Sequence, residues 1–185
     1  MLIAVLVVVV LAIVSVFGYI SLYNRLVAAA NKVDAAWANI DTQLTRRNDL
    51  VPNLVETVKG YASHERETLD AVIAARASGL SASSPAAASA ADGALTGALR
   101  QLFALAEAYP QLRANENFLQ LQQEVSRLET SIAEYRQAYN SSVQDLNTRR
   151  ETFPSNLVAG SKPKFAAREY FEASEAEKQV PKISF

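Results

Sequence analysis

The side chains best equipped for chemistry are few in this sequence. His64 is the only histidine, and there is no cysteine. Glu65 follows His64, but Thr68 stands where an H-E-x-x-H zinc helix needs its second imidazole. A di-iron bundle uses Glu-x-x-His, and the residue three before His64 is Tyr61. Thiolate and soft-metal sites therefore lack ligands. The serines cluster in a Ser/Ala tract or stand singly on helical segments, with no G-x-S-x-G and no second base to activate one. The six glycines are not spaced to cradle a phosphate. Glu107, Glu116, Glu124, Glu129 and Glu134 are spread along helical segments and read as solvated faces, not as acid–base pairs. Asn140-Ser141-Ser142 fits the glycosylation pattern but lies mid-helix. Catalytic, cofactor-binding and metal-binding residues are thus expected to be none, and the protein is expected not to be an enzyme.

One polar stretch stands apart. Between Trp37 and Glu65 the sequence gathers Asp41, Arg47, Asp49, Asn53, Glu56, Lys59 and His64 around an expected tight reversal between two helices. One reading is a cap and ion-pair network that fixes the turn. The other is a docking patch formed by Asp41, Arg47, Asp49 and Asn53 at a bundle tip, about 40 Å from a bilayer if the first helix is straight. Nucleic acid is excluded as a partner. The net charge is −1, the two signs are interspersed, and the basic doublets are Arg46-Arg47 and Arg149-Arg150 alone, too few for a phosphate-binding face.

The elements that must position these residues begin with an apolar run. Residues 2–23 form 22 positions without a charge, while all 37 Asp, Glu, Lys and Arg residues lie beyond them. As a helix this run is about 33 Å long, enough for a hydrocarbon core of roughly 30 Å. It is expected to be a retained anchor and not a cleaved signal. No Lys or Arg precedes it, it exceeds the usual 7–15 apolar residues, and the one A-x-A-like site, Ala28-Ala29-Ala30, lies past Arg25. Arg25 and Lys32 follow the span, which favours an outer N-terminus, a single pass through the cell membrane and a cytoplasmic domain.

Beyond the anchor, apolar positions recur at helical spacing and the domain reads as all-α. Leu22, Leu26, Ala29, Val33, Trp37, Ile40 and Leu44 continue the membrane helix without a break. It is expected to end near Arg46-Arg47, with Asn48 in the left-handed conformation, Asp49 capping the next helix and Pro52 in that helix's first turn. A second helix is expected over residues 50–77. Residues 78–92, rich in Ser, Ala and Gly, read as a flexible loop. A third helix is expected over 94–109, bounded by Pro110. The fourth carries Phe118, Leu121, Val125, Leu128, Ile132, Tyr135, Tyr139, Val143 and Leu146 at steps of three and four, with Asn115 as N-cap and Phe153-Pro154 as its end. Short connections imply an up-down-up-down bundle over residues 24–153. Residues 154–185 are expected to be a mostly irregular tail that packs Phe165, Tyr170, Phe171 and Phe185 on the bundle.

A fourth helix of about 38 residues outruns a third of about 16 by some 33 Å. Its apolar stripe is expected to need other cover, either the tail or a second copy, and a homo-oligomer through helical faces is the expected answer.

The chain resembles the LemA family of bacterial membrane-anchored helical proteins. The resemblance rests on Tyr23-Asn24, Val33, Trp37, Ile40-Asp41, Arg47, Asp49-Leu50-Val51-Pro52-Asn53-Leu54-Val55, Tyr61 and His64-Glu65 in order. It continues at Ala75-Arg76, Asn115-Glu116-Asn117-Phe118, Arg136, Tyr139-Asn140, Asn147 and Phe153-Pro154-Ser155-Asn156-Leu157. It implies an N-terminal transmembrane helix and a long antiparallel bundle, and brings no catalytic residues. The expected function is a membrane-anchored scaffold that self-associates, touches lipid through residues 2–23, and presents bundle surfaces to a membrane or envelope protein. The alternative is a protein that organises lipid at the membrane surface, with Arg149 and Arg150 near the head groups.

Overall fold

The computed structural model describes residues 1–160 and 162–172. Among them the chain is all-α, with no strand. The helices are α1 (Leu2–Lys59), α2 (Arg66–Ser81), α3 (Pro85–Ala106), α4 (Pro110–Arg113), α5 (Glu116–Glu151) and α6 (Ser155–Ala159), followed by a 3-10 turn, Pro163–Phe165. The chain divides into two compact units. The first holds Met1–Trp37 and Ala138–Arg168; the second holds Ala38–Gln137 and the described residues from Glu169 on. Helices α1 and α5 contribute to both.

α1 differs from the sequence expectation. It does not stop at Arg47 but runs unbroken for 58 residues, with Pro52 inside it. A proline in a helix interior cannot donate to the carbonyl four residues earlier, which here belongs to Asn48. Arg76 Nε supplies the missing donor, 2.9 Å from that oxygen. No non-glycine residue among those described has a positive φ, so Asn48 is helical, and Asp49 lies mid-helix instead of at a cap. The reversal comes at residues 60–65. Amides of Tyr61 and Ala62 close back on the Val58 carbonyl at 3.0 and 2.8 Å.

The expected flexible loop at 78–92 is also mostly helix. α2 takes its first residues and α3 most of the rest, leaving 82–84 as the connection. Ser84 caps α3, its hydroxyl accepting from the Ala87 amide at 3.2 Å, and Pro85 occupies the first turn. Alanine is the best helix former, and Ala88, Ala91 and Ala98 bury the small face of α3. Asn115 does cap α5, accepting from the Phe118 amide at 3.0 Å.

Within the second unit, the distal part of α1 packs with α2, α3 and the first half of α5 in up-down-up-down order. Contacts at the two ends fix the directions. Tyr109, after α3, donates to Glu65 at 2.9 Å, and Asn115, before α5, donates to the Tyr61 hydroxyl at 3.0 Å. At the opposite end Arg47 meets Asp92 and Arg76 meets Asn48. Val58, Leu54, Val72, Leu99, Leu102, Leu112, Phe118 and Val125 fill the core between them.

Within the first unit, the Trp37 and Tyr139 rings lie 5.5 Å apart, and Phe165 meets the edge of Tyr23 at 5.6 Å. Leu26, Ala30, Val33, Val143, Leu146, Val158 and Phe165 are buried there. The apolar stripe of α5 is thus buried almost end to end, with Tyr135 at the surface and Leu121 half-buried. α1 and the tail supply this cover within the chain. Of the tail aromatics, Phe165 and Phe171 are buried while Tyr170 is 42 % exposed; Phe185 lies outside the described residues. Residues 2–20 of α1 bury nothing, and an 18-residue window of the helix has a mean hydropathy of 3.0. It is one helix long and apolar enough to cross a membrane.

Candidate functional site

The four residues expected to form a tip patch do not come together. Asp41, Asp49 and Asn53 are exposed along α1, whereas Arg47 is 2 % exposed and points into the bundle. Two residues apart on a helix means about 200° of rotation, so Arg47 and Asp49 face nearly opposite ways. Of the two readings of this stretch, the ion-pair network describes Arg47, but it braces helix against helix and not a turn.

Arg47 donates from Nη1 to Thr96 Oγ1 at 3.0 Å and from Nη2 to the Asp92 carbonyl at 3.3 Å. Nη2 also pairs with the Asp92 carboxylate. Its Nε has no acceptor among the described residues. Beside it lies a cavity of about 80 Å³ lined by Arg47, Asp92, Thr96, Arg100, Glu129 and Arg136. Glu129 is half-buried in this cluster, where its place in the sequence suggested a solvated face. Burial raises its pKa above the ordinary value, and Asp92 adds to this, against the lowering pull of Arg47 and Arg100. Sequence spacing could not reveal this cluster, because its members come from α1, α3 and α5.

A second depression, about 650 Å³ and open, runs between α1 and α5. Leu50 and Leu121 line it with the carboxamides of Asn53, Asn117, Gln120 and Gln123. The groove thus offers amide donors and acceptors over an apolar strip, with the Glu124–Arg127 ion pair, 3.4 Å, at its side. Of the four residues expected in the tip patch, Asn53 alone is placed in it.

His64 is exposed in the α1–α2 connection. Its neighbour Glu65 accepts from Tyr109, a bond that raises the phenol's pKa, with burial and the Glu65 charge contributing. Among the described residues no three His, Cys, Asp or Glu side chains gather as metal ligands would. Arg149 and Arg150 are engaged locally. Arg149 Nε spans both Asp145 oxygens at 2.9 and 3.0 Å, and Arg150 lies 3.7 Å from Glu151.

A family model described as "LemA family" matches residues 36–185. The chain belongs to the LemA family. A curated relative, Protein LemA of Metamycoplasma hominis, is 28% identical over 166 residues, covering 88% of this chain and 74% of the relative. Most of the LemA match falls on the helices that build the two units. Neither the family description nor the relative's name states a reaction, a ligand or a partner.

Proposed function

We propose that this LemA-family chain is a non-enzymatic, membrane-anchored interaction protein. It crosses the cell membrane once, with the N-terminus outside and the packed helices in the cytoplasm. The observation that carries the reading is α1 itself. One continuous helix begins as an exposed apolar segment of spanning length and ends as a core helix of the bundle. Anchoring restricts the bundle to the plane of the membrane and raises its effective concentration toward other membrane residents.

The outer face of α1 is then the presented surface, with Asp41 and Asp49 exposed and Asn53 in the amide-lined groove beside α5. A protein partner of the membrane or envelope suits this groove through backbone hydrogen bonds to the carboxamides. Self-association, if it occurs, uses a surface other than the α5 stripe, which is covered within one chain. The lipid-organising alternative would use Arg149 and Arg150, whose acidic neighbours Asp145 and Glu151 form only exposed, weak ion pairs with them.

The test has two arms. Full-length chain in native cells should resist alkaline carbonate extraction, while a chain beginning at Asn24 should be released. A photocrosslinking residue at position 53 or 49 should capture discrete adducts that a probe at position 73, on α2, does not. Extraction of the full-length chain would end the anchored reading; identical adducts at all three positions would end the presented-face reading.

A further inference from the structure

Among the described residues, the two most exposed large apolar side chains outside the apolar run are Phe153 at 75 % and Leu157 at 71 %. They flank the start of α6, whose own Val158 and Ala159 are buried. α6 therefore packs one side inward and turns Leu157 outward, and the aromatic Phe153 stands exposed just before it. Neither the bundle core nor the amide-lined groove uses them.

Their level along α1 can be worked out inside the first unit. Trp37 meets Tyr139, and α1 and α5 run in opposite directions. Both helices rise about 1.5 Å per residue, so the end of α5 at Glu151 comes level with Arg25. The residues that follow it come level with Tyr23, where the apolar run ends. An independent contact agrees, because Phe165, after α6, packs its ring against Tyr23. Tyr23 in turn stacks on Tyr19 at 6.4 Å. Tyrosines at the end of an apolar span are what a membrane–water interface selects. Lys162 and Lys164, both exposed and without an ion pair among the described residues, stand in the same turn. Exposed ammonium groups within a few residues of outward apolar side chains match a surface that offers phosphate heads over acyl chains.

We propose that Phe153 and Leu157 enter the head-group boundary of the bilayer that holds α1, making residues 152–160 and 162–165 a second membrane contact of this chain. The proposal rests on the anchored reading of α1. It holds the return of α5 against the lipid through apolar side chains, with Lys162 and Lys164 on the phosphates, and does not use Arg149 or Arg150.

The absence of cysteine makes the test direct. Single substitutions Ile13→Cys, Phe153→Cys, Leu157→Cys and Leu119→Cys, each carrying a nitroxide, are placed in the full-length chain. The chain is then reconstituted in nanodiscs of phosphatidylcholine and phosphatidylglycerol. Collision with dissolved oxygen and with a water-soluble nickel chelate reports depth. Positions 153 and 157 should show an oxygen-to-nickel accessibility ratio several-fold above that of position 119 and below that of position 13. If 13 is shielded from nickel while 153 and 157 match 119, the second contact is wrong and the anchor stands. If 13 itself is open to nickel, the anchored reading falls and the proposal with it.

Discussion

Arg47 shows how far a residue's neighbourhood can depart from its place in the sequence. Beside Arg46, and followed by Asn48 and Asp49, it reads as a surface charge at a helix end. In the fold it is among the most deeply buried side chains, paired with Asp92. Removing one partner of a buried pair strands the other, which typically costs about 3–5 kcal/mol. Arg47→Met is therefore expected to lower the stability of the full-length chain in detergent by that order, measured by urea denaturation. Adding Asp92→Asn should return part of it; a single variant as stable as the parent would mean the pair is not closed. Glu129 supplies a pH-dependent counterpart. Its folded pKa is raised, so the folded chain holds this proton more firmly than the unfolded chain does. The stabilisation is complete below the ordinary carboxylate range and is lost as pH rises through the folded pKa. Glu129→Gln should thus gain stability relative to the parent as pH goes from about 4 to 7. A difference that is constant across that range would count against the raised pKa.

At the scale of elements, the sequence showed clearly where helices lie and poorly where they stop. α5 was readable because its apolar positions keep helical spacing and Asn115 is a good cap. The α1 boundary was misplaced because Pro52 is a strong local signal, and the compensating donor lies 24 residues later at Arg76. The true end carried its own marks, Lys59 in the last turn and Gly60 just after it. The Ser/Ala tract was misjudged by composition. Its alanines favour helix, and Ser84-Pro85 is a legible start signal that compositional reading passed over. The Arg76 contact can be isolated by a double-mutant cycle. Arg76→Met should cost about 1–3 kcal/mol by leaving the Asn48 carbonyl without a donor. In a Pro52→Ala background the helix amide is restored, and the same substitution should cost measurably less. Equal costs in both backgrounds would mean that Arg76 stabilises α2 in some other way.

For the whole molecule, a helix long and apolar enough to cross a membrane is legible from the first 23 residues, since length and the absence of charge are all that such a segment requires. The cluster around the buried Arg47 is not, because it is assembled from positions 47, 92 and 129, which no local pattern links. The orientation proposed for the anchor is open to a direct test. With a cysteine at position 2 or at exposed position 119, a membrane-impermeant maleimide added to intact cells should label the former alone. The opposite pattern would place the bundle outside.

The proline in α1 has one more consequence, for the order in which the chain takes shape during synthesis. The carbonyl of Asn48 finds its donor on a segment that the ribosome makes later. The stretch from 48 to 59 is thus left without its brace until that segment emerges. A nascent chain arrested with residue 65 at the ribosome exit should be nicked by protease within 48–59. One arrested after residue 106 has emerged should resist there.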